Sequence, residues 1–289
     1  MYVFPSSGDL LTTALIFRYP TGDAGAAVLA EKILNYTSGQ LGDVTFTGEL
    51  SFLNTWKYRL GAEILVPVGK QELFDSGTLH QYMYGHLYPN DGNKIIARST
   101  TQDRMTKSAE YFLAGFFGLE WPSNATLVLA IETEDAIWNN TLAGYFNCPN
   151  SGGYVNEGGN NATEEWYKIY LKDAKKRLQA NSKGFPWEAE DVYNAQSLCA
   201  YETVGLGYSA FCGLFTYEEW EGYEYSVDIN FAGNNMFQSP TGRAVGAGYV
   251  AEIAARLQHH LITEPTAQVN VSKFNKSRGS PRMKQSFRD

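Results

Sequence analysis

Residues 98–118, with the sequence RSTTQDRMTKSAEYFLAGFFG, have the residue types and spacing best suited to chemistry. A short apolar run of strand type, Lys94–Ala97, comes before them. Apolar side chains near helical spacing follow at Met105, Ala109, Phe112, Leu113 and Phe116. Arg104 lies where the strand would pass into the helix, and the positive end of a helix together with an arginine favours a bound phosphate. Taken alone, the segment also fits a purely structural interpretation, because many helices begin with Asp-Arg.

The elements that would position this arginine alternate between strands and helices. The predicted strands are Leu10–Phe17, Lys94–Arg98 and Leu127–Ile131. The predicted helices are Ala24–Leu34, Phe74–Leu87 and Met105–Phe117. Leu50–Leu60 is predicted as helix or loop. Alternation at this spacing indicates βαβ units, and therefore an α/β fold with a parallel-sheet core and flanking helices. In such folds ligands bind at the carboxyl ends of the strands, where Arg18 and Arg104 would both lie.

The second half of the chain reads as helical. A Gly/Asn-rich linker is predicted at Asn147–Thr163, followed by helices at Glu164–Asn181, Ala189–Thr203, Thr216–Tyr225 and Ala244–His260. This pattern predicts four parts: an α/β core with the pocket arginines (1–149), a helical insertion (150–240), a return helix to the core (241–271) and a disordered basic tail (272–289).

Charge and composition restrict the function. The net charge of −8 and the pI near 5.1 argue against a nucleic-acid partner and against a broad electrostatic funnel for a polyanion, while a local arginine pocket remains compatible with them. No apolar run approaches the length of a membrane span. The histidines, His80, His86, His259 and His260, lack metal-ligand spacing, so neither a metal nor a cofactor is predicted.

The last 18 residues, 272–289, differ from the rest of the chain. They hold six Lys and Arg residues and one acid, whereas the preceding residues hold 17 basic and 30 acidic ones. The tail is interpreted either as a basic arm for an anionic surface or as an end that is foreign to the rest of the protein, such as a read-through. The second interpretation is the one we favour.

Several segments carry a resemblance to a known family. They are Arg18–Gly25 (RYPTGDAG), Leu50–Trp56 (LSFLNTW), Arg98–Gly118, Phe211–Trp220 (FCGLFTYEEW) and Gly246–Leu257 (GAGYVAEIAARL). In this order they resemble the fungal branch of the histidine acid phosphatases, which includes the phytases, and the resemblance covers roughly residues 14 to 262. It implies a histidine-phosphatase-like fold, here with an incomplete sheet. It also implies acid phosphatase or 3-phytase activity on a phosphate ester such as phytate.

The resemblance also implies roles for particular residues. Arg18 and Arg104 match arginines that bind the phosphate, and Thr21 would orient the loop behind Arg18. Arg98 matches a less constant arginine, for which a strand-end salt bridge is an equally good interpretation. Acidic residues after the third strand, Glu132, Glu134 and Asp135, are interpreted as structural because carboxylates there would repel phosphate.

The residues that perform the family's reaction have no counterpart in this sequence. In the family a histidine of an RHG motif attacks phosphorus, and the aspartate of a later His-Asp pair protonates the leaving alcohol. Without a gap, Leu15 occupies the nucleophile position and Ala14 that of the first arginine. With a gap, Phe17-Arg18 begins the motif and four residues are missing. The chain contains no His-Asp dipeptide, so no catalytic residue is predicted.

Three hypotheses are compatible with this pattern. The chain is an incomplete version of a secreted acid phosphatase or phytase and is inactive as written, which is our preferred interpretation. Alternatively, it is a non-catalytic glycoprotein that binds a phosphorylated ligand through Arg18 and Arg104. The third hypothesis is an enzyme with a relocated nucleophile at His80 or His86. The oligomeric state is not determined by the sequence.

Cysteines and glycosylation patterns indicate an extracellular protein. By the resemblance, Cys199 and Cys212 form a disulfide, and the partner of Cys148 lies in a part of the family sequence that this chain lacks, which indicates truncation. Acceptor patterns for N-glycosylation begin at Asn35, Asn124, Asn139, Asn161, Asn270 and Asn275. No secretion signal is visible in Met1–Phe17, which has no basic start and is interrupted by Pro5.

Overall fold

The structure, a computed structural model, describes residues 24–61, 64–130, 141–152 and 154–260. Helices make up most of these residues. They are α1 Ala24–Thr37, α2 Pro67–Tyr84, α3 Asp103–Phe117, α4 Trp121–Asn124, α5 Gly158–Tyr170, α6 Lys172–Ala180, α7 Ala189–Leu206, α8 Tyr217–Asn234 and α9 Gly242–Leu257. Short 3-10 segments lie at Gly48–Asn54, Gly85–Leu87, Thr141–Asn147, Pro149–Ser151, Tyr154–Asn156 and Ala210–Leu214.

The strands form two small sheets. They are β1 Thr45–Phe46, β2 Ile95–Thr100, β3 Ala125–Ala130 and β4 Ser182–Lys183. β2 pairs with β3, and helix α3 lies between them in the chain. β1 pairs with β4 in antiparallel register, with Phe46 opposite Ser182. The β2–α3–β3 order and the helical remainder confirm the predicted α/β fold with an additional mostly helical part.

Most predicted elements are found, with shifted ends. Helices α1, α3, α7 and α9 and strands β2 and β3 lie where they were predicted, within a few residues. Helix α2 begins at Pro67, seven residues before the predicted start, because a proline suits the first helical position, where no intrahelical N–H bond is needed. The linker prediction is wrong in part, since α5 already begins at Gly158. The predicted strand Leu10–Phe17 lies outside the described residues.

The chain divides into two compact units. The first comprises Met1–Arg98, Gln102–Val128 and Thr163–Val227, and the second comprises Ser99–Thr101, Leu129–Ala162 and Asp228–Asp289. The division into core, insertion, return helix and tail stays a prediction.

The first unit has an extensive hydrophobic core. Apolar faces of α1, α6 and α7 meet the 3-10 segments Gly48–Asn54 and Ala210–Leu214 there. The largest of its fully buried side chains are Trp187, Phe46, Phe185, Phe211, Leu29 and Ile33. Helix α7 is closed at both ends: Asp191 Oδ2 accepts the N–H of Glu188 at 2.8 Å, and Gly207 takes the left-handed conformation, with φ 86°.

Polar side chains help to hold together the described part of the second unit. Asn160 Oδ1 accepts hydrogen bonds from Asn230 Nδ2 at 2.8 Å and from Asn234 Nδ2 at 2.7 Å. The backbone at Gly144 packs directly on α9, because a Cβ there would lie 2.1 Å from the carbonyl oxygen of Val245. These contacts tie α5 to α8 and Thr141–Asn147 to α9 within this unit.

Candidate functional site

Arg104 is the second residue of α3, directly after the turn that leaves β2. Gln102 is extended, with φ −62° and ψ 139°, and its carbonyl accepts the N–H groups of Met105 and Thr106, each at 3.0 Å. Its side chain does not cap the helix. The first turn of α3 is therefore well formed, and an acidic residue, Asp103, lies at its positive end together with Arg104.

Arg98 lies near the end of β2, two residues before Thr100. Both Arg98 and Arg104 are half-buried, and the Nε atom of each is fully buried. The inner part of each guanidinium is thus held in the protein. Both arginines belong to the first unit. A guanidinium suits a phosphate group, because the phosphate oxygens accept several N–H bonds at once.

Helix α3 is held against α2 by an unusually close crossing. A Cβ on Gly115 would lie 2.0 Å from the carbonyl oxygen of Phe74, and a Cβ on Gly77 would lie 2.1 Å from that of Phe112. Thr78 Oγ1 donates across the crossing to the carbonyl of Gly115 at 3.3 Å. Only glycine permits the two backbones to approach so closely. The crossing therefore fixes the C-terminal part of α3, the helix that begins with Asp103 and Arg104, against α2.

The remaining predicted phosphate ligands, Arg18 and Thr21, lie outside the described residues, as does Leu15 at the nucleophile position. The acidic residues Glu132, Glu134 and Asp135 also lie outside them. The structure thus places two of the four predicted phosphate-binding residues, Arg98 and Arg104, and their roles stay a prediction.

His80 is engaged inside the fold. It lies on α2, where its Nδ1 is 2.7 Å from the carbonyl oxygen of Ser76 and its ring packs edge-on against Phe112, with centroids 5.3 Å apart. His86 is exposed in the turn after α2, and His259 and His260 are exposed after α9. Among the described residues, no acidic side chain hydrogen-bonds to the ring of His80 or of His86.

The predicted disulfide between Cys199 and Cys212 is confirmed. It joins α7 to the 3-10 segment Ala210–Leu214, and Cys148 is a free, half-buried thiol.

Among the predicted glycosylation acceptors, Asn161 is exposed on α5. Asn35 and Asn124 are half-buried, and Asn124 Oδ1 accepts a hydrogen bond from the Tyr88 hydroxyl at 3.3 Å. Asn139, Asn270 and Asn275 lie outside the described residues. Of the acceptors that can be placed, Asn161 therefore has the most room for a glycan.

A surface groove of about 900 Å³ lies between α5, α6 and the start of α7. Lys168, Lys175 and Lys176 line it, but each of them pairs with a carboxylate at 2.8 to 3.0 Å. Burial, followed by the nearby Glu190 carboxylate, raises the pKa of Tyr167 in this groove to about 12. The three paired lysines are three of the four that line the groove, and the fourth is Lys172.

Across the part of the chain that the structure describes, no group of three or more His, Cys, Asp or Glu side chains could hold a metal ion. In the same residues no helix is both long and apolar enough to cross a membrane.

One contact was not predicted from the sequence. Gly25 in the first turn of α1 meets the side chain of Asn194 on α7, so closely that a Cβ on Gly25 would lie 2.1 Å from Asn194 Oδ1. Residues 169 positions apart give no local sequence signal for such a contact.

β2, the turn after it and α3 form the strand–turn–helix unit of an α/β fold, with one arginine near the end of the strand and another at the start of the helix. The sequence profile of the histidine phosphatase superfamily (branch 2) matches residues 17–284. The chain therefore belongs to this superfamily. The match extends into the basic tail.

Individual relatives agree with this assignment. Phytase A of Aspergillus oryzae is 29% identical over 252 residues, covering 80% of this chain and 52% of that protein. The thiamine-repressible acid phosphatase pho4 of Schizosaccharomyces pombe is 30% identical over 282 residues, covering 88% of this chain and 58% of that protein. The chain thus spans little more than half the length of these curated relatives.

A solved structure shows the same fold. The crystal structure of the phytase from D. castellii matches with a TM-score of 0.64 and 23% identity, over 91% of this chain and 64% of that one. The phytase-like fold expected from the sequence is confirmed.

Proposed function

We propose that this chain is the phosphate-binding part of a phosphomonoester hydrolase of the acid phosphatase or phytase type. We further propose that a polypeptide with this sequence binds phosphate esters without hydrolysing them. The observation that carries the proposal is Arg104 at the start of α3, directly after β2, with Arg98 on the strand itself. Membership of the superfamily and the names of the relatives support it.

The binding chemistry rests on the two arginines. A guanidinium donates two parallel N–H bonds to phosphate oxygens, and the first turn of a helix adds partial positive charge. Arg18, which the sequence places shortly before α1, would supply a third guanidinium. A phosphate monoester such as phytate, or a simpler one, fits this set of donors. An overall acidic surface suits a small local pocket rather than long-range capture of a polyanion.

The absence of turnover follows from the residue at the nucleophile position. A phosphohistidine forms when an imidazole nitrogen donates its lone pair to phosphorus, and the side chain of Leu15 has no lone pair. His80 cannot readily substitute, since its Nδ1 is engaged with Ser76 and its ring is packed on Phe112. The alternative function is a non-catalytic glycoprotein that holds a phosphorylated ligand. It uses the same residues and predicts the same binding.

We also propose an extracellular location. The disulfide between Cys199 and Cys212 suits an oxidising compartment, and Asn161 is an exposed acceptor for a glycan. Peptide mapping of the protein expressed in a secreting host would test both features: glycan at Asn161 and an intact disulfide are expected, and an unmodified Asn161 would contradict the location.

Calorimetric titration with inorganic phosphate tests the binding. Arg104→Ala is expected to weaken it by about tenfold or more, since a hydrogen bond to a charged group contributes roughly 1.5–3 kcal/mol. Arg59→Ala is the matched control, because Arg59 is an exposed arginine of the same unit and its loss removes the same charge. Equal affinities for the wild type and Arg104→Ala would refute the binding role.

Hydrolysis of p-nitrophenyl phosphate and of phytate at acidic pH tests the second half of the proposal. The purified wild-type chain is expected to show no turnover above the buffer rate. Turnover that disappears in His80→Ala or His86→Ala would establish a relocated nucleophile instead and would overturn the proposal.

A further inference from the structure

The glycosylation motif Asn161-Ala162-Thr163 lies near the start of helix α5, and its asparagine and threonine have opposite surroundings. Asn161 is exposed, whereas Thr163 is only 5% exposed. The hydroxyl of Thr163 donates a hydrogen bond to the carbonyl oxygen of Ser226 on α8 at 3.1 Å. In the folded chain the acceptor asparagine is therefore open to solvent, while the residue that completes the motif is shielded from it.

Helix geometry separates the two side chains of the motif. Residues two positions apart in a helix point about 200° apart around its axis, so they do not face each other. The enzyme that modifies Asn-x-Ser/Thr must reach the asparagine amide and the hydroxyl together, because both belong to the motif that it recognises. The motif in α5 can therefore be recognised only when this turn is unwound and Thr163 has left Ser226.

Further contacts hold this part of α5 against α8. Trp166 Nε1 donates to the carbonyl of Gly222 at 2.7 Å, and the Trp166 ring packs edge-on against Tyr225, with centroids 5.2 Å apart. A Cβ on Gly222 would lie 2.4 Å from the ring of Tyr170, so the two helices lie close together. Unwinding α5 at Thr163 disturbs these contacts as well, and it therefore costs more free energy than the fraying of a free helix end.

The other glycosylation motifs within the described residues differ in this respect. In the motif of Asn35, Thr37 is the exposed last residue of α1, and its hydroxyl bonds to carbonyls of its own helix. In the motif of Asn124, Thr126 is exposed on β3. Among the three motifs that the structure describes, only that of Asn161 has a buried hydroxyl bonded to a different helix.

The order of synthesis leaves this motif open for an interval. Ser226 follows Thr163 by 63 residues, so α8 has not yet been made when the motif leaves the ribosome. At the usual rate of synthesis, this partner is added about 3–13 s later. A glycan attached to Asn161 in that interval would point into solvent once α5 has packed, because Asn161 is exposed in the folded chain.

We infer that Asn161 accepts an N-linked oligosaccharide only before α5 packs on α8, and that the packed helix closes the motif to later modification. In the transfer, Asn161 Nδ2 attacks the anomeric carbon of a lipid-diphosphate-linked oligosaccharide. The N–C bond forms, the bond from this carbon to the diphosphate oxygen breaks, the lipid diphosphate leaves with the electron pair, and the amide gives up one proton. The occurrence of this step in the cell rests on the proposed extracellular location, whereas the closure of the motif does not.

Purified oligosaccharyltransferase with a lipid-diphosphate-linked oligosaccharide tests the closure on the folded, oxidised chain made in a host without N-glycosylation. Asn161 in this chain is expected to be modified at least about 100-fold more slowly than in a synthetic peptide of residues 156–168. Phe237→Thr is the matched control, because it completes a motif at the exposed Asn235, in a turn of the same unit where Phe237 is 98% exposed. Asn235 in this folded variant should be modified at a rate within about tenfold of the peptide's.

A variant that loosens α5 while keeping the motif provides a second test. Trp166→Ala removes the hydrogen bond to Gly222 and the ring contact with Tyr225, so it should raise the rate of transfer to Asn161 by about tenfold. Lys168→Ala, at an exposed position of the same helix, should leave that rate within about twofold of the wild type.

The outcomes separate the closure from the proposed location. Modification of the folded wild type at the rate of the peptide would overturn the closure, and so would equal rates in the wild type and Trp166→Ala. If the folded Phe237→Thr chain also stays unmodified at Asn235, folding as such closes both motifs and the role of Thr163 is overturned. A chain that a secreting host leaves unmodified at Asn161 would contradict the location and the acceptor role together.

Discussion

Replacing Gly115 by alanine should separate α2 from α3 and thereby displace Arg104. The new Cβ would lie 2.0 Å from the carbonyl oxygen of Phe74, 2.9 Å from its carbonyl carbon and 3.0 Å from the N–H nitrogen of Thr78. All three are backbone atoms of α2, so no side chain can rotate away. Ordinary van der Waals contact requires more than about 3 Å, so the helices must move apart by roughly 1 Å.

The expected change in the free energy of unfolding combines two opposing effects. Overpacking of this kind costs about 1–3 kcal/mol, and the helix loses the Thr78 bond across the crossing as well. Alanine in place of a helical glycine contributes about 0.5–1 kcal/mol in the other direction. The net loss should be about 1–2.5 kcal/mol of the free energy of unfolding of the first unit. Phosphate affinity should fall with it, since Arg104 lies in the first turn of α3.

Hydrogen exchange measured by mass spectrometry is the suitable assay, because a chain with two units need not unfold in a single step. Amides of α2 and α3 should exchange about 5- to 70-fold faster in Gly115→Ala. Gly246→Ala is the matched control: this glycine lies in α9, and a Cβ added to it would have no atom within 4 Å, so alanine there should slow exchange in α9. Unchanged protection of α2 and α3 in Gly115→Ala would refute the close crossing.

Three further predictions concern the first unit. Arg177→Met should lower the free energy of unfolding, measured in urea, by about 2 kcal/mol. The two hydrogen bonds from Arg177 to the buried Glu219 carboxylate, at 3.1 and 2.7 Å, are lost, and the carboxylate stays buried without them. An unchanged urea midpoint would contradict this. The Cys199→Ser/Cys212→Ser double variant should lose about 3 kcal/mol, measured as a lower Tm than that of the oxidised wild type, and equal Tm values would argue against a structural role for the bridge. Burial raises the pKa of the Tyr167 hydroxyl to about 12, above its value in the unfolded chain. The contribution of Tyr167 to the free energy of unfolding should therefore be complete below about pH 10 and decline between about pH 10 and 12. Tyr167→Phe should remove this decline, and identical stability–pH profiles for the wild type and the variant would contradict the prediction.

The sequence predicts the elements better than the contacts between them. The periodic apolar residues of α3, among them Phe112 and Phe116, are sufficient to place that helix, since one stripe must be buried. Helix α5 was missed at its start because Gly158, Gly159 and Asn160 have low helix propensity. Their helical conformation depends on tertiary contacts, such as the hydrogen bond from the N–H of Gly159 to Asn234 Oδ1 at 2.9 Å.

The pairing of β1 with β4, two residues on each strand, could also not be predicted from the sequence. Two residues are too few to show alternation, and the partners lie more than 130 positions apart. Among the candidate site residues, Arg104 could be predicted, because a strand-to-helix junction is a local pattern. The contact between Asn194 and Gly25 could not be predicted, because only the packing of α1 on α7 brings these two residues together.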